Sequence, residues 1–463
     1  MIQLPFGKVG LFRCALPLLV SALLVSCSQA PMNVPLVKRD TDGGYRFSPS
    51  LTTPGDSDLV IFAFFSGGGT RAAAFSYGVL KELAVTPLDG KLRMLDDLYA
   101  ISSVSGGSFT AAYYCLYGDR IFSDYEQLFL KRNMQRSLYR VSLAPIVNAR
   151  LASSHFSRSD RAAELYDKDL FHGATFADLN KADLRRPLLV INATNLRTGS
   201  TFPFTQDQFD LIGSDLSAYP ISRAVAASSA VPVLLTPITL KNYSDKIAPP
   251  SDSIWLMPTR TSGVMTSMQN MLLTREKVYL DAASNPYIHL VDGGLADNLG
   301  LRNLVDTIAM NGGWEPIVQK MREAKKDKMA ILVVNAARQE DFDFYRSEQT
   351  PNIKQVIRAL SNSSINRYND ETLSMVKAGL ALWDEQEKAA GVPESKRVKI
   401  YLISVDFRSI KDPNERRYFD SIPTRFHLPS EMVDRLITKA GDLLRESPEF
   451  QRLHTDLKKA DSW

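Results

Sequence analysis

From Leu59 to Phe65 the chain reads Leu-Val-Ile-Phe-Ala-Phe-Phe, an apolar run with no polar interruption. Such a run is a strand buried on both faces, the mark of a parallel sheet covered by helices. It breaks at Gly67-Gly68-Gly69, and 72–83 then reads as a helix. The same succession recurs with a strand near 98–103, a break at Gly106-Gly107 and a second helical stretch. Further strands read at 187–193, 289–291, 329–335 and 398–405. Near the end, 430–445 places Met432, Val433, Leu436, Ile437, Ala440, Leu443 and Leu444 on one face of a packing helix. Buried strands alternating with helices predict the α/β class, a three-layer α/β/α domain around a mainly parallel sheet.

Two stretches read as helical insertions on this scaffold. Residues 118–185 are charged and mainly helical. Residues 241–285 open with a Pro- and Ser-containing loop and then set Met265, Met268 and Met271 at helical spacing. With Trp255, Leu256, Met257, Leu272 and Leu273 these form either an adaptable apolar surface, a lid able to touch lipid, or a helix packed on the core.

Composition narrows the partners. The 463 residues are 44% hydrophobic and 23% charged, with a net charge of +4, ordinary values for a folded protein. There is no basic run dense enough to track nucleic-acid phosphates, so no nucleic acid is expected. The five His and three Cys show neither an HExxH pattern nor paired cysteines, so no metal is expected.

The N-terminus reads as a targeting segment. Lys8 and Arg13 precede an apolar stretch from Cys14 to Val25. At ~1.5 Å per residue that stretch reaches about 18 Å, short of the roughly 30 Å of a bilayer core. It ends in Leu24-Val25-Ser26-Cys27, which resembles the lipobox of bacterial lipoproteins. That resemblance implies a signal peptide over 1–26, cleavage before Cys27, acylation of Cys27 with palmitate-type chains, and a flexible tether over 27–56. The alternative is a plain secretory signal cut near Ala30. Ser28 after the cysteine looks like the outer-membrane sorting type, which would make this a lipid-anchored protein of the cell envelope. Cys14 would leave with the signal and Cys115 would stand alone, so no intrachain disulfide forms in the mature chain. Residues 57–463 then make one catalytic domain: a motif-bearing core over 57–305 and a C-terminal part, 306–463, without a motif.

Three motifs fall at strand ends. Ser103-Val104-Ser105-Gly106-Gly107 sits at a strand-to-helix junction. A nucleophilic serine needs a sharp turn there, with small residues two before and two after so that strand and helix pass closely. Ser105 fits, with Ser103 in place of the usual glycine; a competing frame around Ser108 has β-branched Thr110 where room is needed. Such clusters are also frequent as plain N-caps. Upstream, Ser66-Gly67-Gly68-Gly69-Thr70-Arg71 offers successive N–H groups at a helix start, a nest for phosphate or for an oxyanion. It lacks the Lys-Ser/Thr of a P-loop. It satisfies the loose dinucleotide pattern through Ala72, but Asp89, the acidic residue at the right spacing, lies in a turn, so no nucleotide is expected. Downstream, Val291-Asp292-Gly293-Gly294 closes another strand and holds a carboxylate between glycines.

Together these motifs resemble the patatin-like phospholipases, whose pattern is a glycine-rich oxyanion loop followed by Arg or Lys, a GxSxG serine and a DGG aspartate. Ala227-Ser228-Ser229-Ala230-Val231-Pro232 adds the family's small-residue helix before a proline turn, and the matches run in order over 61–298. Gly300 departs from the proline many members carry after the Asn. The resemblance implies a Ser105–Asp292 dyad without histidine, no cofactor, and a membrane phospholipid or lysophospholipid as substrate. Ser105 would attack the ester carbonyl and Asp292 accept its proton, while Gly67, Gly68, Gly69 and Gly106 hold the oxyanion. Arg71 would orient the glycine loop or favour an anionic substrate, unless it is only a surface or sheet-edge salt bridge. An ordinary Asp, with a pKa of ~3.9, is a weak base at neutral pH, so burial must raise it or proton loss must be concerted with attack. Three other readings stay open: a Ser-His-Asp triad using His427 or His454, acyl transfer to an acceptor other than water, and a catalytically silent lipid-binding lipoprotein. His289, three residues from Asp292, should point to the opposite sheet face and read as core or a residue behind the site.

Overall fold

The computed structural model describes residues 32–40, 43–47, 51, 57–89, 92–142, 156–180, 186–232, 234–249, 263–339 and 343–460. The signal segment, Cys27, Trp255, Leu256 and Met257 lie outside these, as does the Met265 side chain.

The main sheet has eight strands: β1 (Leu59–Phe65), β2 (Leu98–Val104), β3 (Leu188–Asn195), β4 (Thr201–Pro203), β5 (Ile238–Lys241), β6 (Tyr287–Val291), β7 (Lys328–Asn335) and β8 (Lys399–Asp406). Its order is β8-β7-β1-β2-β3-β6-β5, with β4 paired to β3. The run from β8 to β3 is parallel throughout. β6 and β5 then turn antiparallel, as does β4. β1 and β7 are buried at nearly every position, as expected for strands covered on both faces.

Helices α1 (Gly69–Val85), α2 (Gly106–Tyr117), α3 (Ile221–Ser228) and α7 (Ser430–Glu446) cover one face. On the other lie α5 (Arg302–Met310) and the long α6 (Ile353–Ala389); α4 (Val264–Lys277) packs on α5. This is the three-layer α/β/α architecture with a central sheet. Two strands were not foreseen, β4 and β5. Both are short and antiparallel, and their few residues carry no long apolar run.

The 118–180 stretch is part of the core. Phe129 and Tyr166 pack on Phe109 of α2, at ring separations of 4.5 and 4.8 Å. A buried ion pair, Arg223–Asp160 at 2.5 Å, joins the helix Arg158–Tyr166 to α3. α4 is likewise a packed helix: Leu272 is buried against Ala309 and Met310, while Arg275 pairs with Glu276 and Asp306.

The expected flexible tether is corrected over the described residues 32–47. Val34–Pro35 forms a two-stranded ladder with Ser214–Asp215. Tyr45 is buried and its hydroxyl accepts from the Leu189 N–H at 2.6 Å, and Arg46 pairs with Asp207 and Asp210. Small polar residues made this stretch look like linker, but one tyrosine and one arginine suffice to dock it. Among the described residues no helix is both long and apolar enough to cross a membrane.

Candidate active site

The nucleophile candidate sits where the sequence placed it, between β2 and α2. Ser105 has φ 48° and ψ −115°, a strained conformation for a residue with a side chain. The strain persists because neighbouring backbones leave no alternative. A Cβ at Gly106 would lie 2.1 Å from the Gly69 carbonyl oxygen, and one at Gly107 2.7 Å from that of Phe65. Ser103, in the position usually held by glycine, fits because its hydroxyl donates to the Val190 carbonyl at 3.2 Å. Ser108 lies inside α2 and its hydroxyl meets that of Ser228 at 3.0 Å, so the Ser105 frame is the one that forms the turn.

Ser228, whose role the sequence did not reveal, locks this turn. Its hydroxyl donates to the Asn192 carbonyl at 2.6 Å and accepts from the Ser105 N–H at 2.8 Å. With its one proton committed to Asn192, it accepts from Ser108 as well. The available signal was the small-residue motif around it, which marks close packing without saying what is packed.

Asp292 follows β6 and faces the turn. Its Oδ1 accepts from the Gly294 N–H at 2.8 Å, its N–H donates to the Ala230 carbonyl at 3.1 Å, and its carbonyl accepts from Thr194 at 2.8 Å. Its Oδ2 is buried with no partner of hydrogen-bonding geometry. Burial pushes the carboxyl up to about 6, with the Gly294 N–H and the Ser105 hydroxyl pulling it part of the way back. Nearby Asp297 is also pushed up to about 6 by burial, but both its oxygens are used, accepting from Leu299 N–H at 3.1 Å and Arg302 N–H at 2.6 Å. Asp297 shapes the loop; Asp292 keeps an oxygen free for a proton.

The glycine loop lies against both. A Cβ at Gly67 would meet Asn298 Oδ1 at 2.6 Å and Ser105 Cβ at 3.3 Å. One expectation changes here: the Gly67 N–H donates to the Asn298 carbonyl at 2.9 Å and is spent. Among the described residues nothing accepts from the N–H groups of Gly68, Gly69 or Gly106, which stand at the starts of α1 and α2 where helices leave such donors open. Gly68 and Gly69 have φ of 143° and 61°, conformations that residues with a side chain rarely adopt.

Arg71 is neither a surface residue nor half of a salt bridge. It is buried, and it donates to the carbonyls of Ala336 at 2.8 Å and Ile422 at 2.7 Å. Burial first, and then the Arg338 charge, push its guanidinium down to about 9. A Cβ at Gly68 would touch its Nη2 at 3.0 Å, so its guanidinium underlies the loop. The Thr70 N–H also donates to Arg425 in the C-terminal part, at 2.8 Å.

His289 points away from Asp292 as strand alternation requires, but it is exposed and bonded to Thr239, not in the core. Among the described residues no histidine hydrogen-bonds Ser105 or Asp292; His427 lies beside the segment that touches Gly69, and His454 in the helix Pro448–Ala460. Asp89 belongs to a small ladder past the far end of α1, remote from the glycine loop. Gly300, at φ 71°, occupies backbone that proline cannot adopt.

The sequence profile described as "Patatin-like phospholipase" matches residues 64–305, more than half of the chain and all of these motifs. The chain belongs to the patatin-like phospholipase family. Among solved structures it is similar to human GIVD cytosolic phospholipase A2, at 12% identity and a TM-score of 0.46, over 87% of this chain and 62% of that one. It is also similar to that phospholipase in complex with methyl gamma-linolenyl fluorophosphonate, at 14% identity and a TM-score of 0.41, over 88% and 60%. The chain thus spans about three-fifths of the length of these proteins. No curated relative matches by sequence. The patatin-like match ends before α6 and α7, so the carbonyls that hold Arg71 and Thr70 come from outside it.

Proposed function

We propose that this chain is a serine acyl-ester hydrolase of the phospholipase A or lysophospholipase type, releasing fatty acids from membrane lipids. The observation that carries this reading is the buried carboxylate of Asp292, whose Oδ2 has no partner of full hydrogen-bonding geometry and which the Ser105 hydroxyl, held on a strained turn, approaches closely enough to pull back its raised pKa. Ser105 Oγ attacks the ester carbonyl as Asp292 takes its proton. The resulting oxyanion is met by the N–H groups of Gly68, Gly69 and Gly106, each worth about 3 kcal/mol in the transition state. Asp292 then protonates the leaving alcohol, and water, deprotonated by the same carboxylate, releases the fatty acid. A carboxyl raised to about 6 is still ionised at neutral pH but is a better base than an ordinary Asp, which answers the difficulty of a dyad without histidine. Cys27, in this reading, is acylated and tethers the enzyme to the membrane that holds its substrate, in the cell envelope.

The test is hydrolysis of a short-chain ester and of a phospholipid by wild type beside Ser105→Ala, Asp292→Asn and His427→Ala, with folding followed by circular dichroism. The first two lose at least ~10³-fold in kcat while the third keeps most activity. A folded but inactive His427→Ala protein would replace the dyad with a triad. Wild type inactive on every ester tried would make the site a lipid-binding one.

A further inference from the structure

The register of the sheet fixes the end of the molecule from which the N-terminal stretch departs. β6 runs antiparallel to β3, with Leu290 opposite Asn195 and Val291 opposite Thr194. Its first residue, Tyr287, therefore lies out beyond the nucleophile end of β2 and β3, about 17 Å from Asp292 at ~3.4 Å per residue. Tyr287 pairs with Lys241 of β5, and Lys241 is gripped by Asn33. The Lys241 N–H donates to Asn33 Oδ1 at 2.7 Å and its carbonyl accepts from Nδ2 at 2.9 Å, while the Tyr243 hydroxyl donates to the Asn33 carbonyl at 3.0 Å. Asn33, with Met32 just before it, thus lies on the side where Ser105 and Asp292 open.

Large apolar side chains stand in water on that same side. Leu196 is 57% and Tyr287 52% exposed along the β3–β6 edge. Across the site mouth, α6 overshoots the sheet. Its Asn366 bonds the Arg338 carbonyl just past the end of β7, while Trp383 further down the helix clusters with Val398 ahead of β8. Ile353, 75% exposed, begins this helix and so projects about 20 Å beyond Asn366 at ~1.5 Å per residue. Arg197, Lys241 and Lys246 lie among these groups, and the Lys246 ammonium sits 5.2 Å from the Tyr243 ring centre.

We infer that this end of the molecule is the face that seats on a lipid bilayer, with Leu196, Tyr287 and Ile353 entering the interface and the three basic residues against lipid phosphates. Tyrosine and lysine at one level are the pairing that membrane interfaces favour. The inference rests on the anchored, lipid-hydrolysing reading above. Cys27 and Met32 are five residues apart. At most ~3.6 Å each, they span about 18 Å, much less than the roughly 55 Å breadth of a body this size. An anchor so short turns the end that bears Asn33, and with it the mouth of the site, toward the lipid.

The experiment places nitroxide labels at Leu196→Cys, Tyr287→Cys and Val85→Cys in the full chain, reconstituted from detergent into vesicles of phosphatidylethanolamine doped with phosphatidylglycerol. Val85 is exposed at the far end of α1; Cys115 is buried and stays unlabelled, Cys14 leaves with the signal and an acylated Cys27 has no free thiol, so each single-label sample is first checked by mass. At 196 and 287 accessibility to oxygen should exceed that to a polar nickel chelate severalfold, with the opposite at 85. Three water-like labels overturn the proposal. So do labels at 196 and 287 shielded from both reagents in step with protein concentration, which would make the face a contact between copies of this chain. In a second arm, Leu196→Asp with Tyr287→Asp should lower the ratio of vesicle to monomeric-ester hydrolysis about tenfold; an unchanged ratio counts against the face. Because the labels need no turnover, an inactive enzyme sinks the hydrolase reading and still leaves the face judged. The mass of the N-terminal peptide separately decides whether Cys27 carries acyl chains.

Discussion

The two halves of the site are built from different parts of the chain. The nucleophile half is held by its own family core: Ser228, Asn192 and Ala230 fix Ser105 and Asp292 through short bonds within β3, α3 and β6. The half to which the proposed mechanism assigns the oxyanion is held from outside that core. Arg71 reaches Ala336 and Ile422, and Thr70 reaches Arg425, partners 265 to 355 residues away in sequence. The C-terminal part, which carries no motif, therefore serves as the abutment of the glycine loop.

The sharpest way to break this contrast is Arg71→Lys. Lysine has donors enough but lacks the planar fork that aims two nitrogens at the two carbonyls, so the loop relaxes and kcat falls about 10²–10³-fold, the cost of misplacing an oxyanion donor, with KM little changed. Steady-state kinetics on a soluble ester checks it; an unaltered kcat would mean the C-terminal part merely fills space. On the other side, Ser228→Ala removes one hydroxyl from the turn, leaving the Ser105 N–H and the Asn192 carbonyl without their partner. A loss of about 1–3 kcal/mol, or roughly 10–10²-fold in kcat, is expected, and Ser228→Thr should recover part of it. Equal loss in alanine and threonine variants would show that packing, not the bond, is at stake.

The smallest effect is on pH, and it belongs to the nucleophile half. Asp292 must be ionised to accept the proton, so kcat/KM should climb through pH 6 and level off above 7, about a tenfold change between pH 5 and 7. Arg71, pushed down only to about 9, stays protonated across that range and adds no limb. Stability moves the other way. A carboxyl at about 6 folded and ~3.9 unfolded favours the native state below pH 4, and that contribution is lost as pH rises through 6. Asp292→Asn should accordingly raise the melting temperature at pH 7.5 and leave it nearly unchanged at pH 4.

Much of the nucleophile half was legible in the sequence because its parts are local. A buried strand, a glycine-lined turn and a helix start are each spelled within a few residues, and it is their combination, resembling a known family, that singles out Ser105, Asp292 and the glycine loop. The partners were not legible. Nothing in Ile422 or Arg425 distinguishes a carbonyl that will hold a loop from any other carbonyl, since every residue has one. Gly67 was misread for the same reason: a glycine advertises room for the backbone, but not whether its N–H is already engaged by Asn298. The direction of β6 was also hidden, because a short apolar run looks alike in either orientation.

That antiparallel strand has a consequence for how such an enzyme can diversify. The segment 242–286 departs from Lys241 and returns at Tyr287, two residues already clamped side by side. Lengthening a loop whose ends are pinned costs only about 0.6 kcal/mol for each doubling. Chain can therefore be spliced between these two residues at little cost, while the aspartate at the other end of β6 never feels the change.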